Sequence, residues 1–196
     1  MARTANSIKT ETHERIVNVA ARAVRRQGYA GVGVAEVMRE AGLSHGGFYA
    51  HFDSRESLLV EAIDRASRES ADSLKLSVEN NLQKDKSKFR SLIEAYLSHG
   101  HLISVDTGCP IAALAGEMPR QANALSTVSS NSVKRLIKAV ENTLPKIHAD
   151  QAEVVAAQLV GSLQLARALG DNDEARALLK TTRKTLLRQY DIVPTN

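Results

Sequence analysis

The 196-residue chain is predicted to be all-α, with about nine helices. Apolar residues recur three and four positions apart along most of its length, the period of a helix with one buried face. No stretch alternates apolar and polar residues in the manner of a half-buried strand. Most of the turn-forming residues lie between the periodic stretches, as at Gly28, Asp106-Thr107-Gly108-Cys109-Pro110, Leu144-Pro145 and Gly170-Asp171-Asn172-Asp173.

Taken in order, residues 1–8 read as a polar arm. A first helix runs from Thr10 to Gln27, with Ile16, Val17, Ala20 and Val24 on one face and Gly28 at its end. Val34, Val37, Met38 and Ala41 fall at i, i+3, i+4 and i+7 and give a short second helix. Gly42 suits the left-handed residue that ends it. Ser44 suits the N-cap of a third helix, which reaches Phe52. Phe48 and Phe52, four apart, anchor that helix while Tyr49 points away. Asp53-x-x-Glu56 or Ser54 caps a long fourth helix to Leu82, and Gln83 to Ser87 is a polar break. The fifth helix covers Lys88 to Val105. Ile111 to Gly116 is short and apolar. Pro119 opens a seventh helix to Thr143. Asp150 caps an eighth to Leu169, and a ninth ends near Tyr190. The domains are set at 1–55 and 56–196.

Composition narrows the class. There are 26 Lys and Arg against 22 Asp and Glu, a net charge of +4. Six basic and two acidic side chains fall in residues 1–26, so this stretch alone carries the whole excess. Such a patch suits phosphate attraction, and it also fits a solvated helix face. A single cysteine excludes an intramolecular disulfide framework. The N-terminus lacks the apolar core of a signal peptide, and no apolar run approaches the roughly 20 residues of a membrane span. These features lead to the expectation of a soluble, cytoplasmic protein. There is no P-loop, Gly-x-Ser-x-Gly or dinucleotide fingerprint, so no enzyme activity and no cofactor are expected. His99 and His101 are two apart and cannot share a helix face, so no metal is expected either.

The stretch from Val34 to Phe52 has the spacing of a helix-turn-helix, two short helices joined by about three residues. Gly46-Gly47 is costly there, roughly 1 kcal/mol per glycine against alanine in a helix interior. Glycine allows a backbone to come close to another surface, and His45, Tyr49 and His51 surround the pair. The alternative is that the two glycines form only a loop.

Arg15 to Leu59 resembles the DNA-binding domain of the tetracycline-repressor (TetR/AcrR) family of bacterial transcription regulators. The resemblance rests on Arg15-Ile16-Val17, Ala20-Ala21, Gly28-Tyr29, Val34 to Val37, Ala41-Gly42-Leu43-Ser44, Gly46, Phe48-Tyr49, His51-Phe52 and Glu56-Ser57-Leu58-Leu59. Three positions depart from the family's habit. Val32-Gly33 stands where Thr-Ser is frequent, His45 where Arg or Lys is, and Gly47 where Ala or Ser is.

The resemblance implies a ligand-responsive repressor of a palindromic double-stranded DNA operator. Ser44, His45, Gly46, Gly47, Phe48, Tyr49, His51 and Arg55 are its expected DNA-binding residues. His45, Gly46 and Gly47 face base edges, and Tyr49 reaches phosphate or a thymine methyl. His51 and Arg55 donate to phosphate, with a purely structural role as the alternative for His51. The resemblance also implies a homodimer through the last two helices. The eighth is more apolar than one packing face requires, and its small Ala156, Gly161 and Ala166 permit close approach. A small-molecule effector is expected in the second domain. Tyr96, His99, Cys109, Met118, Gln121, Gln164 and Arg167 are the candidate contacts, with His101 and Gln158 beside them. Cys109 is open to two readings, a small buried residue or a reactive thiol that senses oxidants or electrophiles. An activator is the other alternative.

Overall fold

The computed structural model describes residues 5–82, 86–121 and 123–191. Its described residues form nine α-helices and three short 3-10 turns. α1 spans Ala5–Gly31 and α2 Val34–Glu40. A 3-10 turn, His45–Ala50, follows in place of the expected third α-helix. α3 is Arg55–Leu82, α4 Lys88–Tyr96, α5 His99–Ile103 and α6 Pro110–Leu114. α7 is Asn123–Glu141, α8 Ala152–Leu169 and α9 Asp173–Tyr190.

Several boundaries differ from the sequence reading, each for a local reason. The arm expected at 1–8 is helical from Ala5, and residues 1–4 lie outside the described residues. Thr10 donates to the Asn6 carbonyl (3.0 Å) and Ser7 to Glu11 (3.2 Å), which supports those first turns. The single helix expected over Lys88 to Val105 breaks after Tyr96. Ser98 caps a new helix by accepting the His101 N–H (3.0 Å). Pro119 lies in a 3-10 turn, Met118–Arg120, and α7 starts later at Asn123. Asp150 does not cap α8. It sits inside another 3-10 turn, Lys146–Gln151, and accepts from Gln151 (3.0 Å). Ser54 does cap α3, in reciprocal hydrogen bonds with Ser57. Of the expected break at 83–87, residues 83–85 lie outside the described residues, and Lys86 and Ser87 are non-helical.

The N-terminal core is built from the predicted stripes. Ile16, Val17, Ala20 and Val24 of α1 are buried with Val37 and Met38 of α2, Phe48, Phe52, and Leu58, Leu59 and Ile63 of α3. α3 continues without a break into the second unit, where it packs against α4 and α7, and α8 pairs with α9. Asn172 caps α9 by accepting the Ala175 N–H (2.9 Å).

The rear of α1 is docked onto the second unit. Gly28 takes φ 75°, and a Cβ there would fall 2.4 Å from Glu117 Oε1. Glu117 accepts the Tyr29 N–H (3.0 Å), and the Tyr29 hydroxyl pairs with Ser129 Oγ (2.8 Å). The Arg25 side chain is fully buried. It donates to the Ala21 carbonyl (2.9 Å), to the Gly108 carbonyl (3.3 Å) and to Glu69 (2.8 Å).

The loop that carries Gly108 is pinned by His101. Its Nδ1 donates to the Tyr96 carbonyl (2.7 Å) and its Nε2 accepts the Cys109 N–H (2.9 Å), which requires the neutral ring. Burial, helped by the nearby Arg167 charge and opposed by the Tyr96 carbonyl, lowers its pKa to about 4. A histidine with a depressed folded pKa stabilises the fold fully above its unfolded value and loses that contribution as pH falls toward the folded one. Between about pH 6.5 and 4 the loss amounts to about 3 kcal/mol. Urea denaturation across that range should show the decline in the parent chain. In His101→Gln the corresponding part of the decline should be missing.

Candidate nucleic-acid interface and effector domain

The turn between α2 and the 3-10 segment is set by Gly42 at φ 72°, with the Leu43 N–H returning to the Met38 carbonyl (2.9 Å). Ser44 has the extended backbone of an N-cap, but its hydroxyl accepts no capping hydrogen bond. The expected capping role of Ser44 is therefore corrected. With two adjacent glycines and no side-chain cap, six residues hold a tight 3-10 form instead of an α-helix. The segment is secured by its aromatic residues. Phe48 is 2 % exposed and stacks on Phe52 at 5.5 Å, and Phe52 stacks on His13 of α1 at 4.5 Å.

Against that anchor, Ser44, His45, Gly46 and Tyr49 face outward, and Tyr49 is 72 % exposed. Gly47 is half-buried, in ordinary contact with Met38 and Ser44. Neither glycine has positive φ, and a Cβ at Gly46 would meet no protein atom within 4 Å. The fold of the free chain thus does not demand glycine at 46.

His51 is half-buried beside His13, with ring centres 6.0 Å apart, and its Nδ1 is buried without a partner. Desolvation, then the charges of His13 and Lys9, hold its pKa below the usual value. Lys9 and His13 were not selected from the sequence. They stand four apart on α1, which puts them on one helix face, and that spacing was the available signal. His13 is also 2.7 Å from Glu61 of α3. Arg55 turns back on its own fold. Its guanidinium donates to the Val32 carbonyl (2.8 Å) and to the Tyr29 carbonyl, tying the start of α3 to the α1–α2 turn.

The effector candidates do not form one cluster. Tyr96, Cys109 and Arg167 gather around His101. The Tyr96 ring meets the imidazole edge-on at 4.7 Å, and Arg167 Nη2 donates to the His101 carbonyl (2.8 Å). Cys109 is 2 % exposed at the start of α6. His99 lies apart, exposed and paired with Asp171 at 3.0 Å. Met118 and Gln121 belong to the turn beside Glu117, whose carbonyl accepts from Gln121 (3.2 Å). Gln164 is half-buried and Gln158 exposed on α8. Two clefts flank α3. One, of about 610 Å³, lies toward α7, with Leu74, Val78, Leu92 and Ala139 among its walls. The other, of about 280 Å³, lies toward α4 and α5, and five of its eleven lining residues are serines. The apolar cleft toward α7 was missed from the sequence because it closes only when α7 is brought against α3 and α4, from which it is distant along the chain.

Among the described residues, no group of three or more His, Cys, Asp or Glu is placed to hold a metal ion, and no helix is long and apolar enough to cross a membrane.

Residues 16–62 match the family described as bacterial regulatory proteins, tetR family. Over 54 residues the chain is 39% identical to YerO of Bacillus subtilis (strain 168), an uncharacterised HTH-type transcriptional regulator; the match spans 28% of this chain and 19% of that relative. The whole fold resembles a TetR transcriptional regulator from Chloroflexus aurantiacus (TM-score 0.74, 21% identity, covering 93% of this chain and 96% of the other). It is equally similar to reduced NemR of E. coli (0.75, 17%, covering 94% and 100%) and to a TetR transcriptional regulator of Legionella pneumophila (0.73, 18%, covering 96% and 98%). At those identities the structural likeness shows the fold alone, and the sequence matches carry the kinship of the N-terminal unit. Together they place residues 16–62 among the helix-turn-helix DNA-binding regions of the tetR family of bacterial regulatory proteins, and give the chain as a whole the fold of TetR-type regulators.

Proposed function

We propose that the chain is a homodimeric repressor that holds a palindromic operator and releases it when a small molecule binds the helical body. In this reading residues 1–55 contact DNA, and residues 56–196 take the effector and the second subunit. The observation that carries it is the outward row of His45, bare Gly46 and 72 %-exposed Tyr49 on a segment pinned from behind by Phe48 and Phe52. A rigid anchor with an exposed polar and aromatic face is what base and phosphate contact needs. Glycine at 46, unexplained by the fold itself, fits a backbone that comes close to DNA. His51 serves there as a neutral hydrogen-bond donor to phosphate, with the Lys9 charge beside it. Arg55 acts in this reading by positioning the head, since its donors are engaged with carbonyls.

Dimerisation is supported by α8. Val154, Leu165 and Leu169 are 48 %, 60 % and 43 % exposed, and with Ala157, Gly161 and Ala168 they continue one stripe along the helix. A second copy would cover it, and two heads about one axis would read a palindrome. The clefts on both sides of α3 give an effector room beside the helix that carries the head.

Fluorescence anisotropy with DNA from the chain's own upstream region tests the reading. Tyr49→Ala and His51→Ala should each weaken binding about tenfold or more without altering the thermal midpoint. Gly46→Leu should weaken it at least as much, because the free chain has room for the side chain and a close DNA surface does not. Affinity equal to the parent's in all three variants would overturn the assignment. Leu165→Arg should turn the dimer into a monomer in analytical ultracentrifugation and remove high-affinity binding. An unchanged dimer would place the interface elsewhere.

A further inference from the structure

Among the described residues no carboxylate pairs with Arg167, a half-buried cation. All of its hydrogen bonds go to backbone carbonyls, those of His101 (2.8 Å), Leu102 (3.3 Å) and Ser104 (3.5 Å). Its remaining nitrogen, Nη1, is buried with no partner. Close by, the fully buried Tyr96 hydroxyl also lacks a hydrogen-bond partner, and the Cys109 thiol against it is at best a weak acceptor. A buried guanidinium without a counter-charge is costly, and an unused hydroxyl donor beside it adds to the cost. Both donors want the same thing, an anionic oxygen.

The serine-lined cleft comes up to this cluster. Ser104, His101 and Gly108 line the cleft and also touch Arg167. A Cβ at Gly108 would lie 2.6 Å from the Ser104 carbonyl and 2.8 Å from both Arg167 Nη2 and the His101 ring, so Gly108, Ser104 and His101 form the thin wall behind which Arg167 and Tyr96 sit, and a ligand reaches them by parting that wall. The remaining wall is rich in hydroxyls, with Ser70, Ser73 and Ser98 among them, and no lining residue is acidic. His101 spends both ring nitrogens on backbone groups and is not a free donor.

We propose that this cleft binds a small hydroxycarboxylate, its hydroxyls against the serines and its carboxylate on Arg167 and Tyr96. The inference rests on the effector reading above and gives that effector a chemical class. It also supplies a route to the DNA-binding head. The Gly108 carbonyl accepts from buried Arg25 of α1, so a ligand that draws Arg167 away from this loop pulls on the same residue that holds α1.

The test uses the full chain and a panel of short hydroxycarboxylates, each paired with its neutral primary amide at equal ionic strength. At least one carboxylate should raise the thermal midpoint where its amide does not. By calorimetry its Kd should weaken at least about tenfold in Arg167→Gln and severalfold in Tyr96→Phe. Tyr96→Phe removes only one hydroxyl and decides the matter if Arg167→Gln fails to fold. The proposal is overturned if no carboxylate outperforms its amide, or if the preference persists at full strength in the folded variants. Adding the same carboxylate to the protein–DNA complex separates the two readings. Loss of DNA affinity supports the link through Gly108 and Arg25, whereas binding with DNA affinity unchanged overturns that link and leaves the site standing.

Discussion

The Glu117 carboxylate holds the two halves of the molecule in register. It reaches the chain at the one point where α1 is bent, because Gly28 at φ 75° both turns the backbone and leaves space for the carboxylate oxygens. The Tyr29 N–H freed by that bend is then satisfied by Glu117 itself, a charge-assisted hydrogen bond worth about 1.5–3 kcal/mol. Tyr29 completes the seat on Ser129, and Arg25, one turn back, joins α1 to Glu69 and to Gly108. Without these contacts the head would be attached by the packing of α1 on α3 and α6 alone. With them, the position of α6 and of the loop before it is coupled to that of α1.

The His45–Ala50 segment is built on a different principle. It has poor intrinsic helicity, a cap residue that does not cap, and two glycines. Its order comes from Phe48 and Phe52, which are buried against α1, α2 and α3. The conformation of the segment is thus tertiary in origin, while its outer face owes the core nothing. That division leaves His45, Gly46 and Tyr49 open to change without loss of the fold.

Much of this was legible in the sequence, and the failures have physical causes. The stripes at Ile16–Val24 and Val34–Ala41 are the core faces of α1 and α2, since burial imposes a helical period directly. The break at Leu97–Ser98 was hidden because buried Leu97 and Leu102 keep the apolar pattern running through it. Only the Ser98 hydroxyl marks the new helix, and serine is common enough to pass unnoticed. The 3-10 form of 45–50 was readable in part, since the cost of Gly46-Gly47 was visible while its structural outcome was not. Arg55 shows the limit of motif transfer. Its charge suggested phosphate, but its reach also matches two carbonyls of its own chain, and only the fold brings those within range. Tyr96, Cys109 and Arg167 were chosen as polar residues among apolar helices. That they converge around His101 follows from the α4–α5 break, which the sequence reading had bridged.

α3 has 28 residues and no interruption, so it is about 42 Å long. Its first residue carries the head through Arg55, and the clefts lie along its second half. A stiff rod of this kind converts angle into distance. A tilt of only about 5° about its far end carries the head roughly 4 Å, which is about the rise of one base pair. The same tilt moves the cleft-lining stretch, about 10 Å from that end, by only about 1 Å, so a displacement well under the width of a side chain in the helical body is sufficient to change which base step the outward face would meet.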